Sequence, residues 1–153
     1  MKTTAIIAGI AVLLALLIGC GIGIRGGPLP QTRSTVEIIK LDVPSDAPES
    51  AWTAALAAWK DGSGEYQLKD ATVAGRVDVL TDCCAIEVEW LKGNKWHEGL
   101  GQAAHYGDAT GRQPVLALCS DTELSNDEWE KVLYIAELCA RHGIEVRLLL
   151  REE

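Results

Sequence analysis

The apolar positions of the chain obey two rules. From Ala5 to Ile24 they run almost unbroken, AIIAGIAVLLALLIGCGIGI. As a helix this stretch spans about 30 Å, the thickness of a bilayer core. Beyond it the pattern becomes periodic. Arg25–Arg33 holds Gly26, Gly27, Pro28 and Pro30 and reads as a linker. Ser34–Val43 alternates as a short strand or an extended tether. Ser45 or Asp46 caps a helix with Pro48 in its first turn, and Trp52, Ala55, Leu56 and Trp59 recur at helical spacing until Gly62 and Gly64. Three strand-like runs follow, Glu65–Leu68, Val73–Leu80 and Ala85–Trp90, with turns at Lys69-Asp70 and Asp82-Cys83. Lys95–Ala109 reads as a helix ended near Gly111, and Pro114–Leu118 as a short buried strand. Ser125 or Asn126 caps a last helix to about His142, with Trp129, Val132, Leu133, Ala136 and Cys139 inward and Gly143 as its stop. Ile144–Leu150 closes the chain as a strand. The predicted order is α-β-β-β-α-β-α-β, one α/β domain over 45–153 behind a linker at 25–44 and an apolar segment at 1–24.

The apolar segment follows a short positive start at Lys2, as membrane-targeting segments do. Its tetrapeptide Leu17-Ile18-Gly19-Cys20 resembles the bacterial lipobox, in which the cysteine is lipidated and becomes the new N-terminus. That resemblance implies lipidation at Cys20 and a domain outside the cytoplasm, on the periplasmic side of a bacterial envelope. The alternative is an uncleaved transmembrane anchor, favoured by the apolar run continuing to Ile24. Lys2 on one side and Arg25 and Arg33 on the other encode orientation weakly.

Charge narrows the functional classes. From residue 26 onward 12 basic residues face 22 acidic ones, a net charge of −10. Such a surface disfavours tight, non-specific binding of nucleic acid. Arg76, Lys92, Lys95 and Arg112 nevertheless gather around the central stretch, while Asp121, Glu123, Asp127, Glu128 and Glu130 lie together elsewhere. The five cysteines, Cys20, Cys83, Cys84, Cys119 and Cys139, show no CxxC or Cys/His ligand spacing, which argues against zinc. Cys119 and Cys139 sit in apolar contexts as small core residues. His97, His105 and His142 have no Ser or Cys partner that sequence identifies, so a hydrolase triad is a poor reading.

The chemistry concentrates between Gly75 and Gly107. A hairpin turning at Asp82-Cys83 sets Thr81 against Cys84, Asp78 against Glu87 and Arg76 against Glu89. Alternation then gives an apolar face of Val77, Val79, Ile86, Val88 and Trp90, and a polar face of Arg76, Asp78, Glu87 and Glu89. Directly opposed carboxylates about 5 Å apart destabilise a sheet unless a cation compensates, and hard divalent ions take carboxylate oxygens. The bland alternative is a solvated polar face neutralised by Arg76 and nearby lysines. On the helix that follows, Lys95, Glu98, Gln102 and Tyr106 fall within about 80° of one another.

These residues resemble the PD-(D/E)xK nuclease superfamily, whose restriction-endonuclease-like core is an α-β-β-β-α-β unit with a mixed central sheet. Asp78 matches the first acid and Glu87 the second. Gln102 and Tyr106 match the Q-x-x-x-Y helix motif of the RecB-like nucleases, and the element order matches over about residues 46–118. One position departs: residue 89 is Glu where the superfamily carries lysine, and Lys95 is the candidate substitute. The resemblance implies hydrolysis of phosphodiester bonds in DNA with Mg²⁺ or Mn²⁺. It assigns Asp78 and Glu87 to the metal, with the Val88 carbonyl and a further acid, Glu65 in preference to Glu49. Glu89 or Lys95 would orient the attacking water, and Gln102 and Tyr106 would contact the nucleic acid or buttress the metal ligands. The whole is then a membrane-tethered nuclease of a bacterium or its phage. The alternative is an inactive nuclease-fold lipoprotein serving as an envelope interaction module.

Overall fold

The computed structural model describes residues 35–69 and 74–152. The expectations for Cys20, the apolar segment and the linker therefore lie outside the described residues, as does Val73. Among the described residues no helix is long and apolar enough to cross a membrane.

The domain is α/β, with a six-stranded mixed sheet and three helices. In chain order these are β1 (Val36–Leu41), α1 (Glu49–Trp59), β2 (Ser63–Gln67), β3 (Arg76–Leu80), β4 (Cys84–Trp90), α2 (Trp96–Thr110), β5 (Gln113–Ser120), α3 (Asn126–Ala140) and β6 (Glu145–Arg151). The strands lie in the order β1-β6-β5-β4-β3-β2. β2, β3 and β4 form an antiparallel meander, whereas β4, β5, β6 and β1 are parallel. The change of direction falls on β4.

The three helices expected within the domain are present, and the stretch expected as a strand or tether holds a strand at Val36–Leu41. It pairs with β6 from Val36↔Val146 to Leu41↔Arg151, so the folded domain extends well before residue 45. Two apolar clusters cover the two faces of the sheet. Trp52, Leu56 and Ala57 of α1 pack with Val79, Ile86, Val88, Val115 and Ala117. Trp96 and Ala103 of α2 and Val132, Ile135, Ala136 and Cys139 of α3 pack with Leu116, Leu118 and Leu148. Buried on both faces, the parallel strands read as continuous apolar runs such as Val115–Cys119.

Three local expectations change. Neither Ser45 nor Asp46 caps α1: the N-cap is Pro48, without a side-chain bond. A turn closed by Ala47 N–H on the Pro44 carbonyl, with Asp46 at φ 59°, takes up those residues instead. Trp59 is exposed and carries Lys60 Nζ over its ring at 4.0 Å, because α1 buries the Trp52–Leu56 side and turns its last residue outward. On α3, Leu133 faces outward and Ile135 takes the inward place.

The start of α3 follows the sequence. Ser125 Oγ accepts from the Glu128 N–H, and Glu128 Oε2 accepts from the Ser125 N–H at 2.8 Å, a complete capping box. Ser125→Ala is expected to cost about 1 kcal/mol of stability, read as a lower midpoint in urea.

Candidate functional site

The site grows from an interruption in the sheet. The β3–β4 ladder runs from Leu80↔Ala85 to Val79↔Ile86 and stops there, one residue short of Asp78. On the other side β2 pairs at Gly64↔Val79 and Tyr66↔Val77, skipping Asp78 again, and Glu65 opposite it takes a left-handed φ of 51°. Such a φ is strained for a residue bearing a side chain. In place of the backbone bonds, the Asp78 carboxylate reaches across. Its Oδ2 accepts the Val88 N–H at 2.9 Å. In an extended strand the N–H and C=O of one residue point to the same side, so the Val88 carbonyl also faces β3.

This break corrects the expected alternation. Val77 does not join the apolar face of Val79, Ile86 and Val88. It packs with Leu80, Ala85 and Tyr106 in a small third cluster. Arg76 is exposed, is not paired with Glu89 in the ladder, and lies 3.6 Å from Glu65.

Glu87 and Glu89 are not on a solvated face. They lie on β4 at 6 % and 7 % exposure. α2 covers them closely: a Cβ at Gly99 would stand 2.6 Å from Glu89 Cγ and 3.0 Å from Leu116 Cδ1. Gly99 thus lets α2 settle onto the strand, and Gly99→Ala is expected to destabilise the domain by about 1–3 kcal/mol through overpacking against Glu89. Thermal melting checks it. Oε2 of Glu87 and Oε2 of Glu89 are both buried with no hydrogen-bond partner among the described residues. Buried carboxylates without partners are costly, and such groups gather at functional sites.

The acids act on one another. Burial first, then the charges of Asp78, Glu89 and Glu49, pushes the Glu87 carboxyl up to about 9. Burial also raises Asp78, against the Val88 N–H that holds it down. Glu89 is raised by burial and then by Glu49, with Lys95 opposing. Glu49 is raised by burial and then by Asp78, again with Lys95 opposing. Glu49, in the first turn of α1, therefore belongs to the group, and Glu65, exposed and 3.6 Å from Arg76, adds its charge to the rise at Asp78. The sequence reading prefers Glu65, and the structure brings Glu49 to the group as well. The one available signal was Glu49's place directly after Pro48, which fixes the start of the first helix.

The polar row on α2 divides. Lys95 is the exposed N-cap residue, near enough to Glu49 and Glu89 to oppose their upward shifts. Glu98 and Gln102 are exposed, and Tyr106 is buried at 6 %. Burial and then the Glu87 charge raise the Tyr106 phenol, against a hydrogen bond from the Arg76 backbone. Its ring lies against Gly75, where a Cβ would meet Cε1 at 2.6 Å. Tyr106 is buried near enough to Glu87 and Asp78 for their charges to act on it, and Gln102 is the member of the pair that faces out. His97, His105 and His142 are all exposed, and none is among the groups whose charges act on the four acids.

The chain finds no match among protein-family models, curated proteins or solved structures. What the site can do rests on its own chemistry. Among the described residues no three His, Cys, Asp or Glu side chains are drawn together as a finished metal cage. Mg²⁺ does not need one: it keeps most of its waters and binds through one or two carboxylates. The two partnerless carboxylate oxygens are donors of the right hardness, and two cations, Lys95 beside Glu49 and Glu89 and Arg76 beside Asp78 and Glu87, face four acids. The donor set fits a hard divalent cation.

Proposed function

We propose that the chain is a membrane-tethered, metal-dependent nuclease of the PD-(D/E)xK type that hydrolyses phosphodiester bonds of DNA. The observation that carries the reading is the pair of buried, partnerless carboxylates on β4 beside Asp78. Supporting it is the element order from α1 to β5: a helix, an antiparallel meander with acids on its second and third strands, a crossover helix and a parallel strand. That order is the one expected of a restriction-endonuclease-like core.

In this reading Asp78 and Glu87 hold Mg²⁺ or Mn²⁺, with the Val88 carbonyl and Glu49 as further ligands and Glu65 at the rim. Bound there, the ion supplies a polarised phosphate oxygen and a water of lowered pKa. Glu89 accepts the proton of the attacking water, a task for which its raised pKa suits it. Lys95, at the mouth, offsets the acids' repulsion of the phosphate backbone. Gln102 contacts the nucleic acid, and Tyr106 keeps Asp78 and Glu87 apart from solvent on the α2 side.

A second reading, an inactive nuclease-fold module of the envelope, is favoured by one observation: position 89 is Glu rather than lysine. The test is incubation of the purified full chain with single-stranded and double-stranded DNA and Mn²⁺, with and without chelator. The nuclease reading expects chelator-sensitive cleavage. Intact DNA under saturating Mn²⁺ would leave the second reading standing and sink the first.

A further inference from the structure

At the tip of the β3–β4 hairpin, away from the acids, two cysteines follow one another. Cys83 Sγ and Cys84 Sγ lie 3.2 Å apart. Cys83 is exposed and Cys84 is buried. The Thr81 hydroxyl stands 3.7 Å from Cys83 Sγ. Arg147 of β6, itself only 7 % exposed, brings Nη2 to 3.7 Å from Cys84 Sγ. Its guanidinium also meets Glu37 at 2.8 Å and Glu145 at 3.6 Å, but its Nη1 has no hydrogen-bond partner among the described residues. A buried guanidinium stays charged, since Arg does not lose its proton in proteins. An exposed thiol backed by a second thiol and a fixed cation is the setting in which cysteine is reactive rather than structural.

We propose that Cys83 and Cys84 form a thiol–disulfide exchange site for small disulfides of the glutathione class, with Cys83 attacking and Cys84 resolving. In the first step Cys83 gives its proton to solvent and attacks one sulfur of the external disulfide. A protein–glutathione disulfide forms, and the other half leaves as a thiolate. In the second step Cys84 gives up its proton and attacks the Cys83 sulfur. The bond to the small thiol breaks, and that thiol leaves as well. The two protein thiols are oxidised to one Cys83–Cys84 disulfide, and one external disulfide is reduced to two thiols.

The local environment divides the roles. The thiol of Cys84, then the Thr81 hydroxyl, lowers the Cys83 pKa, whereas burial raises that of Cys84. Arg147 opposes the rise at Cys84 and so favours its thiolate in the second step. Neighbouring Cα atoms lie about 3.8 Å apart across a trans peptide, short of the roughly 4.4–6.8 Å of ordinary disulfides. The product is therefore strained and easily reduced again, as reversible disulfides are. This exchange is independent of what the acidic site does.

The test uses the full chain, reduced, freed of reductant and incubated with glutathione disulfide, followed by mass mapping of the peptide that holds both cysteines. The wild-type peptide is expected to lose two hydrogens and to carry no glutathione. Cys84→Ser is expected to stop with glutathione on residue 83. Cys83→Ser is expected to react at least about tenfold more slowly, because the remaining thiol has the smaller thiolate fraction. Two free thiols persisting in the wild type, a mixed disulfide as lasting there as in Cys84→Ser, or a Cys83→Ser variant as fast as wild type would each overturn the proposal.

Discussion

Replacing Glu87 with glutamine is expected to raise the melting temperature of the metal-free protein at pH 8, and to flatten its dependence on pH. In the folded chain burial pushes Glu87 up to about 9, against an ordinary value of 4.5. Below the ordinary value both folded and unfolded chains hold the proton, and stability is at its fullest. As pH rises toward 9 the unfolded chain ionises while the folded one does not, so stability is lost across that window. Glu49, Asp78 and Glu89 are shifted in the same direction and add to the same slope. One pK unit on one group corresponds to about 1.4 kcal/mol, and the acids share a single repulsion rather than adding independently. Over the three pH units from 5 to 8 the single Glu87 proton corresponds to about 4 kcal/mol of lost stability, roughly 16 °C in melting temperature for a domain of this size. Glu87→Gln keeps the shape, removes the ionisable group and lowers the repulsion on its neighbours. Scanning calorimetry across pH reads both effects. A wild-type melting temperature that stays level from pH 5 to pH 8 would contradict the burial of these acids.

Under the proposed nuclease reading, Asp78→Asn is expected to have the larger effect on activity. The Val88 N–H needs an oxygen acceptor, and the asparagine carbonyl still supplies one, so the hairpin and the fold are expected to remain. What disappears is the negative charge beside Glu87. Metal-held stabilisation of a reacting phosphate is worth several kcal/mol, so Mn²⁺-dependent cleavage is expected to fall by at least about a hundredfold. Glu65→Gln is the contrasting case. Glu65 is exposed and engaged with Arg76 at 3.6 Å, and removing its charge is expected to change the rate only a few-fold. Equal losses in the two variants would mean that Asp78 has no special place.

The parts of this architecture that sequence reveals are those set by near neighbours. The Asp82-Cys83 turn fixes a hairpin register that holds through Leu80↔Ala85 and Val79↔Ile86, because side chains alternate strictly away from a tight turn. Ser125 and Glu128 announce the start of α3 because a capping box is closed within one helical turn. The parts it hides depend on distant chain. Nothing near Asp78 shows that its side chain will replace a ladder bond and send Val77 to the opposite face. How near Glu49 comes to the acids depends on how α1 crosses the sheet, which its whole apolar face decides. Leu133 and Ile135 are two residues apart on α3, and only the line of contact with α2 and β6 decides which is buried. Burial of Glu87 and Glu89 was the least legible of all, since two glutamates alternating with apolar residues read as the wet side of a strand.

The proposed role of these buried acids is to hold a divalent cation. The most direct measurement is the melting temperature of the wild type at pH 8 against increasing Mn²⁺. An ion that binds only the folded state stabilises it by about 2.7 kcal/mol at a hundred times its dissociation constant. A saturable rise of roughly 10 °C is therefore expected for the wild type. For Asp78→Asn and Glu87→Gln the rise is expected to be absent or much reduced. A wild type whose melting temperature does not respond to Mn²⁺, or one that responds no more than Asp78→Asn, would contradict the claim.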